Sequence, residues 1–525
     1  MPSESPRSKN QDASPTGCRT LTSPSSAAPS SGTPRNSDLA SKASILVVSK
    51  AIGGISRIAG IAVLARLLPK PEFGLLSFSL LTYLSVTTLA QLGLPSSVFY
   101  YLGIVPRDAH RAFVFLVCRI LFYIALGGAA VLLLIGWVAS ARNYDVLGLM
   151  IPLAFLVILE LPTYHIQNVL IALGRAKQSA WVTIIFSLVL LAAMVLPAAF
   201  GRPIRDVCYA LVGYGAFRVV ITTYCFTRSL DKTGAVLPSN MLRQVFAYSV
   251  PLGVADLLWK VNQFVDKYVV MFLLPVVVFA EYSVGAWEIP LVPMIAASVA
   301  SVMMIPFVSS YLEGNMKELL SLWNQSIKKV TILVLPLMVM FVLISRELVM
   351  LLFSRQYEAA SIVFSIYTLT LFQRVADYSA VLKAINKTRV VTGWAGLTAV
   401  LNLALSVPFV LWLGMVGAAV STLLATFIAW FFILLVLAQL LDVPIREVFP
   451  FGFYSRTLTV AALSALPALA AAYLVDASEA FDLLIKVAVY FAVFAPAATL
   501  AGLANKKDWL FLARFLGLRR RSARP

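Results

Sequence analysis

From about residue 43 to residue 504 the sequence is a near-continuous succession of apolar stretches of roughly twenty residues or more. A run of that length crosses the roughly 30 Å of bilayer hydrocarbon as an α-helix, because lipid offers no partner to backbone N–H and C=O groups. Strands of a membrane β-barrel would instead be short and alternate in polarity. Composition agrees: 60% of the residues are hydrophobic, 13% are charged and the mean hydropathy is +0.88. The predicted class is all-α, a polytopic membrane protein. Its spans are 43–68, 73–102, 112–138, 146–173, 179–200, 206–228, 244–274, 278–311, 320–344, 359–385, 390–412, 414–441, 453–475 and 481–504, about fourteen helices. The segment after Ser345 is too short to span and is expected at the surface or at the end of the preceding helix. No connecting loop is long enough for a soluble domain.

Residues 1–41 are rich in Ser, Pro, Thr, Asn and Arg and carry too little apolar surface to fold, so a disordered tail is expected. No secretory signal is read at the start. The net charge of +18 would suggest nucleic acid in a soluble chain, but here the basic residues are spread over short loops and the two tails. Arg107, Arg111, Arg175, Lys177, Lys317, Lys387 and Arg446 fall in loops on one side, while the last loop of the other side holds Asp476, Glu479 and Asp482. By the positive-inside bias, both termini are expected in the cytoplasm. Residues 505–525 alternate apolar and basic patches, as in an interfacial helix on anionic lipid. The cysteines form neither a metal spacing nor a disulfide framework, and His110 and His165 alone do not make a histidine metal site.

One span is unlike the rest. Within Ser249–Leu274, Asp256, Lys260, Gln263 and Lys267 are spaced four, three and four apart and share one narrow helix face. Lys260 falls roughly 15 Å along the helix from Val250, near mid-bilayer, where a charge is costly unless it faces protein, water or a counter-ion. Two readings stand: a structural pair with Asp256, or a helix lining a polar path for a charged solute.

The chain also repeats. Leu67–Ser77 resembles Leu273–Ser283 at an offset of 206, and Ala172–Lys177 resembles Ala384–Arg389 at an offset of 212. Six helices per unit restore the starting side, so the two units are parallel and related by an axis along the membrane normal. At offset 206 Lys50 and Arg57 of the first helix fall on Asp256 and Gln263 of the seventh. Gly53, Gly54 and Gly60 surround Arg57, either for close packing or as a hinge. Arg57 is too deep to reach an interface easily and is expected in a cavity with Lys260. Asp266, Lys267, Glu288, Arg374 and Asp377 are further polar positions inside apolar runs, for a cavity or for ion coupling. Pro95, Pro162, Pro251, Pro290, Pro293, Pro306 and Pro336 are expected to interrupt helices.

Five stretches in order carry a family resemblance: Phe73–Gly74 with the following QLGLPSSVFYYLG, Ile171–Trp181, Asp266–Pro290, Leu351–Ser361 and Leu401–Thr422. Over about residues 42–504 the chain resembles the polysaccharide flippases of the multidrug/oligosaccharidyl-lipid/polysaccharide exporter superfamily. The resemblance implies two six-helix lobes, residues 42–230 and 243–441, around a central cavity, with two extra helices in 453–504. It implies alternating access in a bacterial inner membrane and a polyprenyl-pyrophosphate-linked oligosaccharide as cargo. Membrane lipids and polysaccharide polymerase or export machinery would be partners, with no cofactor, metal or nucleic acid. Lys50, Arg57 and Lys260 would meet the pyrophosphate, with Gln263 and Asp256 beside them. A lipid II flippase and a cation-coupled drug exporter of the same superfamily remain alternatives. An enzyme is disfavoured, because no extramembrane loop gathers a catalytic constellation.

Overall fold

Apolar runs become helices throughout the computed structural model, which describes residues 36–141, 146–231, 237–287, 289, 291–474 and 478–505. The first half runs α1 (Asn36–Leu67), α2 (Lys70–Ala90), α3 (Leu94–Ile104), α4 (His110–Ser140), α5 (Leu147–Glu160), α6 (Ile166–Ala172), α7 (Ala176–Ala199) and α8 (Ile204–Ser229). The second half runs α9 (Met241–Leu273), α10 (Val276–Gly285), α11 (Leu291–Leu312), α12 (Met316–Leu343), α13 (Ser345–Phe353), α14 (Ala360–Leu369), α15 (Tyr378–Ala384) and α16 (Thr388–Leu441). A short α17 (Ile445–Val448) leads to α18 (Phe451–Leu474) and α19 (Glu479–Leu500). The halves match in their irregularities as well as their order. One break divides α2 from α3 and another α10 from α11, and 3₁₀ turns at Leu161–Thr163 and Thr370–Gln373 interrupt α5–α6 and α14–α15. In each half the first helix packs along the fifth apolar segment, α1 on α7 and α9 on the first part of α16.

Eleven helices among the described residues are long and apolar enough to cross a bilayer. A straight α16 of 54 residues would be about 80 Å long, far more than a bilayer needs. It is not straight: Gly414 has φ 61° and ψ −139°, and the chain doubles back so tightly that a Cβ on Gly417 would lie 1.9 Å from the Phe409 carbonyl oxygen. Two legs result, divided where the sequence divides 390–412 from 414–441. The predicted spans outside the eleven are α9, which carries Arg243, Asp256, Lys260, Asp266 and Lys267, and the broken pair α14–α15.

Side chains such as Trp181, Phe200, Ile305, Trp412 and Tyr473 stand exposed on the outside, as lipid-facing positions should. Pro251, Pro306 and Pro336 sit inside continuous helices, whereas Pro95 opens α3 after Gly93 and Pro162 lies in a 3₁₀ turn. Pro290, residues 1–35 and residues 506–525 lie outside the described residues. The segment after Ser345 neither continues α12 nor lies loosely on the surface. It forms α13 as a separate helix, with Glu347, Val349, Met350 and Phe353 buried. The cause is polar: Lys486 of α19 donates to Glu347 at 2.8 Å and pairs with Asp482 at 3.2 Å, which fixes α13 against the C-terminal helices.

Gly53 and Gly60 of α1 serve packing, whereas nothing lies within 4 Å of a Cβ on Gly54. A Cβ on Gly53 would meet Ser187 Oγ at 3.0 Å, and one on Gly60 would touch Leu191 and Met194 of α7 at 3.4 Å. The helix runs unbroken through all three glycines.

Candidate functional site

A cavity of about 250 Å³ lies among α1, α2, α5, α7 and α8 and reaches α9 and α10 of the second half. Its charged lining residues are Arg57, Glu160 and Lys267. Glu160 is buried and accepts from Arg218 Nη1, while Arg218 Nε donates to Thr163 Oγ1 at 3.1 Å. The Arg218 guanidinium also lies 4.9 Å from the Phe186 ring centre and 5.2 Å from that of Tyr164. Glu160 is therefore neutralised from behind by Arg218. Asp266, 3.9 Å from Lys267, balances the ammonium in the same way, so Arg57 leaves the cavity with one positive charge in excess.

The depth of Lys267 follows from helix geometry. Side chains lean toward a helix N-terminus, and Lys267 Nζ reaches back to donate to the Gln263 carbonyl at 3.0 Å. Gln263 is the residue that the repeat aligns with Arg57. The ammonium thus sits about one turn above its own Cα, at the level of the Arg57 equivalent. Its neighbour Asp266 reaches into the second half, and its Oδ1 remains 3.9 Å from Lys267 Nζ, so the two charges pair. Asp266 is 1% exposed and accepts from the Tyr282 hydroxyl at 2.5 Å and from the Tyr367 hydroxyl.

The structure brings Arg57 together with Lys267 at this cavity, and not with Lys260. Lys260 and Gln263 are half-buried on α9 and are not among the cavity lining, and Lys50 is exposed on α1. The Asp256 side chain and Glu288 lie outside the described residues. Arg374 and Asp377 line a second cavity, of about 390 Å³, in the second half. Sequence reasoning missed the pairing of Glu160 with Arg218, because 58 positions separate them and no periodicity signals it. It also missed Tyr282 and Tyr367, which look like ordinary aromatic residues of apolar runs. Only the need of a buried carboxylate for donors pointed to such partners. Among the described residues no three His, Cys, Asp or Glu side chains gather as a metal site.

The halves meet at both ends of the bundle. At the end holding the Leu68–Pro69 turn, Lys70 pairs with Glu281 at 2.6 Å, Arg66 Nε donates to the Leu352 carbonyl at 3.0 Å, and Gln356 donates to the Ala65 carbonyl at 3.0 Å. At the end holding Pro106, the Tyr100 and Tyr248 rings stack with centres 4.7 Å apart. There the α2–α3 break also presses against α9, so that a Cβ on Gly253 would lie 2.4 Å from the Leu92 carbonyl carbon. Contacts at both ends leave the Arg57 cavity between them.

Solved structures share this architecture. The chain is similar to the lipid II flippase MurJ in an inward closed conformation, with a TM-score of 0.62 and 16% identity over 86% of this chain and 98% of that one. It is also similar to a multidrug resistance MATE family transporter of the MOP superfamily in an inward-facing conformation, with a TM-score of 0.59 and 13% identity over 76% and 98% of the two chains. A MOP superfamily transporter from Pyrococcus furiosus, reported with a binding pocket of reverse polarity, matches at a TM-score of 0.51 and 12% identity over 76% and 94%. No curated protein sequence matches the chain. The model of a family described as polysaccharide biosynthesis protein matches residues 63–362, more than half of the sequence. The fold is that of MOP superfamily transporters, and the chain belongs to the polysaccharide biosynthesis protein family.

Proposed function

We propose that this protein flips a polyprenyl-pyrophosphate-linked oligosaccharide across the bacterial inner membrane by alternating access, with both termini in the cytoplasm. The observation that carries the reading is the net positive cavity shared by Arg57 and Lys267, one from the first helix of each half. A pyrophosphate cannot cross hydrocarbon unaided, and a guanidinium with an ammonium beside it replaces lost hydration with charge-assisted hydrogen bonds. Arg57 supplies a two-pronged donor for phosphate oxygens, and Lys267 a compact charge. A cationic drug would meet repulsion at the same place, because Arg218 pairs with Glu160 and Lys267 with Asp266, which leaves the Arg57 charge in excess. Lys50, Lys260 and Gln263 then line the approach along α1 and α9, and Asp266 supports the lobe that carries Lys267.

The likeness to a lipid II flippase favours a second reading in the same chemical class, in which the head group is a peptidoglycan precursor. Purified protein in vesicles separates the readings. Inward movement of fluorescent lipid-linked oligosaccharide, with lipid II and a rhodamine dye moved no faster than in empty vesicles, is the expected result. Movement of the dye alone would overturn the proposal.

A further inference from the structure

The second cavity has a chemistry that the pyrophosphate site does not use. It occupies about 390 Å³, within the range of small-ligand pockets, and lies where α14 and α15 are broken. Irregular backbone at membrane depth is tolerated where it lines a cavity. Two indoles form its apolar wall: Trp259 and Trp394, with ring centres 5.9 Å apart and planes inclined by 47°. The Trp394 Nε1–H is buried and donates to nothing among the described residues, a polar handle left without an acceptor. Around the rings stand Gln373, Arg374, Asp377 and Lys383. Arg374 lies 5.6 Å from the Trp259 ring centre, which holds its planar guanidinium in place. Asp377 is oriented by the Ser379 N–H at 3.1 Å and the Ser379 hydroxyl at 2.6 Å.

We infer that this cavity binds one pyranose ring of the transported glycan. The inference rests on the flippase reading above and adds to it the site that recognises the sugar. A pyranose has an apolar C–H face, which suits an indole plane, and a rim of hydroxyls, which suits planar amide, guanidinium and carboxylate groups of fixed orientation. The volume holds a single ring, so the cavity reads one residue of the glycan while Arg57 and Lys267 hold the pyrophosphate.

Intrinsic tryptophan fluorescence of the purified full-length protein, titrated with D-glucuronate, D-glucose and rhodamine 6G, tests the site without any transport. Glucose and glucuronate should both quench saturably, and rhodamine should not. Trp259→Leu should weaken that binding at least tenfold, and Trp394→Phe, which keeps a ring but removes the N–H, by a smaller factor. In vesicles Trp259→Leu should slow a lipid-linked oligosaccharide more than a lipid-pyrophosphate carrying one sugar, whereas Arg57→Ala should slow both alike. Absence of saturable quenching by either sugar in the wild-type protein overturns the inference, as does tighter binding of rhodamine at Trp259. If sugar binding is present but no lipid-linked glycan moves in vesicles, the sugar site stands and the flippase reading falls.

Discussion

Lys70, at the first turn of α2, holds Glu281 of α10 at 2.6 Å and so ties one half of the protein to the other. The same ammonium lies 5.6 Å from the centre of the Tyr357 ring, itself fully buried. Alternating access requires contacts at this end to break when the cavity opens there. The pair is partly exposed, so its worth is up to about 1 kcal/mol, which is about fivefold in the balance between closed and open forms. We expect Lys70→Ala or Glu281→Gln to raise maleimide labelling of a cysteine at the cavity position Ser283 from this end, by about twofold to fivefold. The exchange Lys70→Glu with Glu281→Lys should bring labelling back toward the original rate. Labelling that stays high in the exchanged protein would show that the pair is not a latch.

The opposite end closes by backbone contact rather than charge. Gly93 has φ +72°, and its Cβ would lie 2.6 Å from the Ser249 carbonyl oxygen, while Gly253 faces Leu92 as closely. Alanine at 253 must separate α9 from the α2–α3 break. Cysteines at Tyr100 and Tyr248, whose rings stack, should cross-link readily, and Gly253→Ala should cut that cross-linking and lower transport more than tenfold. Gly54→Ala is the control, since nothing lies within 4 Å of its added carbon. Unchanged cross-linking in Gly253→Ala would mean that this contact does not govern closure.

Most of the fold was legible in the sequence because bilayer thickness imposes a length on each apolar run, and the repeat imposes the parallel halves. Even the division of α16 was readable, since a straight helix of that length has nowhere to go. The site was less legible. Helical spacing puts Lys260 and Lys267 on one face, and nothing in the spacing says which of them reaches the cavity. That choice depends on the backward lean of a lysine and on what α1 and α2 leave open. Pairings across the chain, Glu160 with Arg218 or Glu347 with Lys486, are decided by packing between helices remote in sequence.

The Glu160–Arg218 pair yields a stability prediction. Both residues are buried, and removal of one partner leaves the other charge unmatched, at a cost of about 3–5 kcal/mol. Glu160→Gln should therefore lower the unfolding temperature of the detergent-purified protein strongly. The double substitution Glu160→Leu/Arg218→Met, which removes both charges at similar volume, should recover most of the loss. A double variant as unstable as the single one would mean that Arg218 contributes through its stacking on Phe186 and Tyr164 and not through the ion pair.

Transport itself distinguishes the cavity cations from their neighbours on the same helices. Arg57→Ala and Lys267→Ala should each reduce movement of a lipid-linked oligosaccharide more than tenfold per folded molecule, because each removes a charge that faces the cavity. Arg57→Lys should restore only part of the rate, since it keeps the charge and loses the paired N–H donors. Lys267→Arg should be better tolerated than Lys267→Ala. Lys260→Ala reports on the competing assignment: it lies two turns from Lys267 and off the cavity lining, so its effect should be less than threefold. A loss at Lys260 equal to that at Arg57, with Lys267→Ala transporting normally, would return the pyrophosphate contact to Lys260 and require the two halves to rearrange before the cargo is bound.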